Sequence, residues 1–486
     1  MNLAREIKKD IYWIGVNDRR THIFENYWPL PKGVAYNSYI IVDEKVVVID
    51  TIERSKMDDY VENIEQLLNG RKVDYLVINH MEPDHTGAIK ALLCHYPDVK
   101  IIGNAKTFPM LKNFYGVCEN LMEVKEGDSL DLGKHKLNFY MAPMLHWPET
   151  MVTFESTEGI LFSGDIFGAF GTLDGGIFDD EVDLDYLEEE ISRYYSNIVG
   201  KYGQPAQTAL KKLGGLPIKM VCATHGPIRR SHIADIVAKY DKWSKYDTDK
   251  GVVIVFSSMY GNTEKMADII ARFLAEKGIK KIRIHDASKT HPSYIINDIF
   301  RYKGVILGSC AYNGNAFPTM ETLLFELEHM GVKNHVVAFF GGKAWAGGAM
   351  PRFNQFAEKI KWEVEGVNDL IKKHVGHGAK FVRPPYGAGI RDKKVSKYVN
   401  EPMVCWSVDT LDWKTKSKKK TIRSVMNDAH DGDIVLMHDI HGWTVDAVKK
   451  IIPKLLKKGY QLVTVSEMAE AKGCKLENRK PYFEFF

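Results

Sequence analysis

His80-Met81-Glu82-Pro83-Asp84-His85 sets two histidines and two further carboxylates directly after the apolar run Val73-Asp74-Tyr75-Leu76-Val77-Ile78. Three more apolar runs stop at residues of the same chemistry: Leu137–Met141 precedes His146, Ile160-Leu161-Phe162 precedes Asp165, and Lys219-Met220-Val221 precedes His225. Strands that each end on a metal-type side chain are expected to line those side chains along one edge of a sheet, facing one cleft. A lone histidine in such a run is an ordinary core residue. Seven metal-type residues at the ends of four runs predict a metal site.

Glu82 adds a carboxylate that hardens the donor set and moves it from zinc towards iron or manganese. The H-x-[H/E]-x-D-H pattern, with its later His, Asp and His, resembles the metallo-β-lactamase fold, an αββα sandwich whose hydrolytic members usually carry His at the third position. With Glu82 there, the chain is similar to the flavodiiron proteins. That resemblance implies two iron ions, one held by His80, Glu82 and His146, the other by Asp84, His85 and His225, with Asp165 bridging them. It implies no catalytic side chain beyond these ligands. Two metals roughly 3.5–4 Å apart can take a diatomic molecule between them.

A second set of signals begins at Gly251–Phe256, an apolar strand that runs into Ser257-Ser258-Met259-Tyr260-Gly261-Asn262-Thr263 and then the amphipathic stretch Glu264–Lys277. Strand, hydroxyl-rich loop and helix N-terminus form an anion cradle of backbone N–H groups and helix dipole. No Gly-Lys-[Ser/Thr] follows, so it is not a Walker loop. Val305–Gly308 leads similarly into Ser309-Cys310-Ala311-Tyr312-Asn313-Gly314, and Val336–Phe340 into Gly341-Gly342-Lys343-Ala344-Trp345. Loops after parallel strands are where a doubly wound sheet binds its ligand. The first loop resembles the flavodoxin phosphate loop for FMN, and the other two resemble the flavin-ring loops of flavodiiron proteins, with Tyr312 and Trp345 as ring neighbours. The family commonly has Ser-Pro-Thr-Tyr where this chain reads Ser309-Cys310-Ala311-Tyr312.

The 486 residues, 45% hydrophobic, have room for about three domains with separate cores. Neither a leader-type N-terminus nor an apolar stretch near the roughly 20 residues of a membrane span is read. The six cysteines are scattered without a Cys-x-x-Cys pair. Reduced thiols of a cytoplasmic protein are expected, with no rubredoxin-type iron site in this sequence. A net charge of +3 gives no case for nucleic acid.

The expected domains are a metallo-β-lactamase-like diiron domain over 1–248, a flavodoxin-like FMN domain over 249–349 lacking its last units, and a third segment over 350–486. Ala35–Val42, Asp43–Lys45 and Val46–Asp50 read as a hairpin, and Tyr240–Lys250 as the first linker. After residue 350 the net charge turns from negative to positive. There, Phe381–Gly387, Trp406–Trp413 and Ile434–His438 resemble the last three motifs of a polysaccharide deacetylase. That resemblance implies an Arg383–Asp409 pair and His438 as general acid, with Asp412 in the same remnant. The Asp and His-x-x-x-His set that would hold the metal is missing, so the segment reads as an incomplete, partial βα barrel without catalysis. Phe353–Lys373 and Lys380-Phe381-Val382 are an expected helix and strand, which either complete the flavodoxin sheet or join that barrel.

The flavodiiron resemblance implies an oxidoreductase that takes oxygen to water or nitric oxide to nitrous oxide, with FMN as electron reservoir. It also implies a head-to-tail homodimer and a separate electron donor, either a rubredoxin-like protein or a reduced deazaflavin. The competing readings are a zinc hydrolase with an accessory flavodoxin domain, a carbohydrate deacetylase acting through the tail, and a plain electron carrier.

Overall fold

The computed structural model describes residues 4–342, 348–364, 379–384, 387, 390–391, 399 and 401–486. Two compact units follow one another in the chain, Met1–Val364 and Glu365–Phe486.

In the first unit, a seven-stranded sheet carries, in spatial order, Arg5–Lys8, Ile11–Trp13, Tyr39–Val42, Val46–Ile49, Tyr75–Val77, Lys100–Gly103 and Leu121–Glu123. A five-stranded sheet follows from Ser129–Asp131, Lys136–Met141, Met151–Glu155, Ile160–Gly164 and Met220–Ala223. The period-two alternation of side chains decides how they pack. Ile41, Val47, Ile49, Val77 and Ile102 share one core with Leu137, Phe139, Phe162 and Cys222, so they fill the space between the sheets. Their neighbours Ile40, Val46, Val48, Leu76 and Ile101 lie in the other core, with Tyr60, Ile64 and Leu92 of the covering helices. Strands buried on both faces read as continuous apolar runs. Each fully buried Val or Ile in them contributes about 1.5–3 kcal/mol over its exposed state.

The runs that end in metal-type residues divide between these sheets. Tyr75–Val77 belongs to the first, and Lys136–Met141, Ile160–Gly164 and Met220–Ala223 to the second. The expectation of a single sheet edge is therefore corrected: the site draws on both layers of a sandwich. A one-dimensional pattern shows that a strand ends, not which layer it joins.

A third sheet, entirely parallel, has the order Ile282–Asp286, Asp249–Ser257, Tyr302–Ser309, Val336–Gly341, Glu363–Val364. Its crossover helices are Asn262–Glu276, Pro292–Arg301, Pro318–Met330 and Met350–Ile360. This is the doubly wound 2-1-3-4-5 order of flavodoxins. The helix and strand that the sequence leaves missing after residue 349 are Met350–Ile360 and Glu363–Val364. Helix Ile233–Ser244 and strand Asp249–Ser257 both reach into the expected linker Tyr240–Lys250, which narrows to a short turn. Polar, charged residues there cover a helix face rather than a free tether.

In the second unit Met403–Val404 pairs in parallel with Pro481–Tyr482, and Val408–Asp409 with Val435–Leu436. Val382 bridges Met403, so the expected strand near residue 381 joins this unit and not the flavodoxin sheet.

Candidate metal centre and flavin loops

His80 and Glu82, two residues apart, enter the same cluster, Glu82 from extended backbone just ahead of Pro83. Pro83 then opens a single helical turn, Pro83–Thr86, which redirects Asp84 and His85. One short segment thus feeds two neighbouring clusters: His80, Glu82, His146 and Asp165, and Asp84, His85 and His225. Within each, the candidate ligand atoms lie within 4.8 Å of one another, and every residue is buried.

Asp165 joins them. Its Oδ2 lies 3.2 Å from His146 Nε2 and 3.5 Å from His80 Nε2, while its Oδ1 lies 2.8 Å from His85 Nε2 and 3.7 Å from His225 Nε2. One carboxylate therefore turns one oxygen to each cluster. Glu82 Oε2 is 2.9 Å from His146 Nε2, and Asp84 Oδ2 is 3.1 Å from His225 Nε2. The sequence-derived ligand set is brought together in the expected grouping.

Three residues outside that set orient it. His80 Nδ1 faces Glu149 Oε1 at 2.8 Å, and the Met81 N–H donates to the same oxygen at 2.9 Å. His225 Nδ1 donates to the Ala35 carbonyl at 2.8 Å, and Thr224 Oγ1 donates to Asp165 Oδ1 at 2.7 Å. Each contact fixes a ring or carboxylate so that Nε2 or the remaining oxygen points inward. Glu149, in the His146-Trp147-Pro148-Glu149 run, was findable as a carboxylate close to a ligand. The Ala35 carbonyl carries no sequence signal.

The electrostatics fit a divalent-metal site. Burial opposes the charge on His85 and His146, yet neighbouring carboxylates, Asp84 and Asp165 for the first and Asp165 and Glu82 for the second, push both up to about 9. Against the same burial, His146 and His80 hold the Glu82 carboxyl well below its usual range, and His85 and His146 do so for Asp165. In the second cluster both oxygens of Asp84, His85 Nε2 and His225 Nε2 are buried without a hydrogen-bond partner. Such orphans cost about 1–3 kcal/mol each. Here they converge on a common point, as ligands to a cation do. Three carboxylates and four imidazoles make a donor set suited to iron or manganese.

The flavin loops leave the third sheet at one level, because Ser257 is in register with Ser309 and Ser309 with Gly341. In the first loop, Ser257 and Thr263 are buried, Met259 and Tyr260 are exposed, and Gly261 adopts φ +81° ahead of Asn262. No side chain caps this helix, and the Ser258 hydroxyl is a buried oxygen without a partner. A cradle of free helix N–H groups with an unmatched hydroxyl fits a phosphate. In the second loop Ser309 Oγ accepts from the Phe317 N–H at 2.9 Å, and Cys310 N–H donates to Ser257 O. Ala311 leads into a tight turn in which Tyr312 and Asn315 exchange backbone hydrogen bonds across Asn313 and Gly314, both at positive φ. Tyr312 is half exposed and edge-on to Phe317. A Cβ at Gly341 would meet Ser309 O at 2.5 Å, so the third loop starts at a position only glycine fits, and Gly342 follows in open space. Trp345 lies outside the described residues.

In the second unit, His438 Nδ1 pairs with buried Asp412 Oδ1 at 2.7 Å, and Thr444 Oγ1 donates to Asp412 Oδ2 at 2.7 Å. Asp409 accepts from the Leu411 N–H, and among the described residues it makes no ion pair with Arg383, unlike the expected Arg383–Asp409 pair. Each acid is taken up by its nearest backbone donor or histidine.

A β-sandwich with a carboxylate-rich dinuclear site, followed by a flavodoxin-like sheet, defines a metallo-β-lactamase-like redox flavoprotein. Comparisons agree part by part: the model described as ODP family beta lactamase matches residues 34–226, and the flavodoxin model matches residues 254–378. The anaerobic nitric oxide reductase flavorubredoxin of Shigella boydii serotype 4 is 32% identical over 411 residues, covering 81% of this chain and 85% of that protein. Rubredoxin oxygen:oxidoreductase from Desulfovibrio gigas is 28% identical, with a TM-score of 0.72 over 75% of this chain and 91% of that one. The flavodiiron protein from Giardia intestinalis is 25% identical, also with a TM-score of 0.72, covering 82% and 98%. The chain belongs to the flavodiiron protein family, which includes the flavorubredoxins.

Proposed function

We propose that this protein is an oxidoreductase that reduces oxygen to water or nitric oxide to nitrous oxide at a diiron centre, with electrons supplied through FMN. The observation that carries the reading is Asp165, one oxygen on each cluster, beside Glu82 where hydrolases carry histidine. His80, Glu82 and His146 would hold one iron, Asp84, His85 and His225 the other, and Asp165 would be shared between them. When bound, the iron pair supplies redox-active Lewis acid sites for a diatomic substrate.

The chain's own residues do the rest. Glu149, the Ala35 carbonyl and Thr224 hold the ligands in one orientation. Tyr36, Phe24 and Ile23 wall the cavity of about 370 Å³ that reaches Glu82 and Asp84. Loop 257–263 would take the FMN phosphate, and Ser309–Gly314 with Gly341 and Gly342 would flank the ring. Coupling two nitric oxides consumes two electrons and oxygen reduction to water consumes four, so a flavin reservoir suits either reaction.

A redox partner supplies the electrons, as the relatives' names indicate. We assign this role to a separate rubredoxin-like protein or a reduced deazaflavin, and the working form to a head-to-tail homodimer in the cytoplasm. Among the described residues no helix is long and apolar enough to cross a membrane. The test is metal and flavin content of anaerobically purified protein, together with donor-driven oxygen and nitric oxide consumption. Two zinc, no iron and no consumption of either gas would sink the reading.

A further inference from the structure

The hairpin of Ile23–Phe24 paired with Trp28–Pro29 belongs to the metal-binding part of the chain, yet much of what holds it comes from the flavodoxin part. Its tip residues Glu25 and Asn26 have φ of +50° and +55°, a left-handed pair that costs a non-glycine residue free energy and persists only where the surroundings fix it. On its inner side, Phe24 sets its ring edge-on to the ligand His225 at 5.6 Å. Glu25, braced by Trp28 Nε1 at 3.1 Å, lines the cavity together with Glu82 and Asp84.

On its outer side, the Tyr27 hydroxyl donates to the Glu326 carboxylate on the flavodoxin helix Pro318–Met330. The rings of Tyr27 and Trp28 stand 5.7 and 6.1 Å from His291, which caps helix Pro292–Arg301. The Pro29 carbonyl accepts from Arg193 at 2.9 Å. Arg193 is fully buried, paired with Glu190 at 2.7 Å, stacked 4.6 Å from each of Phe170 and Tyr294, and donates to Ser293 Oγ at 3.2 Å. One guanidinium therefore ties the end of the hairpin to the flavodoxin helix. A planar fork with several fixed donors suits that task, and a lysine does not.

We propose that the flavodoxin domain holds the Ile23–Pro29 hairpin over the metal cluster, with Tyr27 and Arg193 as positioning residues that set how open the cavity is at Glu82 and Asp84. The flavin-bearing domain is then part of the wall of the metal site, and access to the ligands depends on an inter-domain contact. The inference rests on the metal reading of the cluster.

The test uses the full-length protein and three variants: Tyr27→Phe, Glu326→Leu and Arg193→Lys. The first readout, hydrogen exchange of the amides of residues 22–30 in metal-free protein, needs no metal. Loss of one hydrogen bond of about 1–1.5 kcal/mol should speed exchange there about tenfold, with the strands Tyr39–Val42 and Val46–Ile49 unchanged. Tyr27→Phe combined with Glu326→Leu should match either single change, because one removes the donor and the other the acceptor of the same bond. The second readout is the rate at which bipyridyl strips iron from loaded, reduced protein, expected to rise by a similar factor with FMN content unaltered. Parent-like exchange over residues 22–30 in Tyr27→Phe and Glu326→Leu overturns the proposal, whatever Arg193→Lys does to folding. If the parent takes up no iron, the metal reading fails while the exchange result still decides the hairpin.

Discussion

The histidines and carboxylates announce themselves because metal chemistry needs particular side chains and each stands just past an apolar run. Asp165 faces both clusters with one group. Asp165→Ala should remove at least one iron per chain and the activity, as read by metal analysis. Full iron content with turnover would refute the bridge. Glu82→His should raise zinc at the expense of iron when both are offered, following ligand hardness. Glu149 was not among the sequence-derived residues: its place three residues after His146 marks it as close to a ligand, but only the fold shows that the ring it meets is that of His80. Glu149→Gln should weaken metal affinity by about 10–100-fold in a chelator competition titration while leaving the ligand set intact.

Among elements, the apolar strands were legible because burial on both faces leaves no polar positions to confuse the pattern. Their assignment to layers was not, since Tyr75–Val77 and Ile160–Gly164 look alike in sequence and lie in different sheets. Nor was Glu363–Val364, two residues whose strand character comes from pairing with Val336 and Val337. Loop 257–263 makes its own prediction. Asn262→Asp places a negative charge at the helix N-terminus, against the phosphate, at a cost of about 2–4 kcal/mol for an effective dielectric near 20. FMN content should fall and donor-driven activity with it, while iron content stays. Unchanged FMN would refute the phosphate assignment.

The flavodoxin sheet also carries a pH dependence. His335 is buried, donates from Nε2 to the Ile299 carbonyl at 2.6 Å and packs on Trp362. Burial pushes it down to about 4. The unfolded chain takes up this proton near pH 6.5 and the folded one does not, so stability present above 6.5 is lost as the pH falls towards 4, by up to roughly 3 kcal/mol. Thermal melting should show that slope in the parent and a shallower one in His335→Gln.

For the whole molecule, the third segment divides what patterns can and cannot reveal. Its motifs place Asp412 beside His438, yet the hydrogen bonds among Asp412, His438 and Thr444 close on themselves. The expected outcome is that acetylated chitooligosaccharides and peptidoglycan stay intact with or without added zinc or cobalt, and that His438→Ala reduces oxygen or nitric oxide like the parent. Acetate release that disappears in His438→Ala would reverse this. A last consequence concerns populations of molecules. Because Thr224 already holds Asp165 with one oxygen towards each cluster, a first ion would find its ligands in place, and a second would enter against the charge of the first. Protein given half its complement of iron should therefore contain many molecules that hold a single ion, and a sharp division into full and empty copies would contradict this.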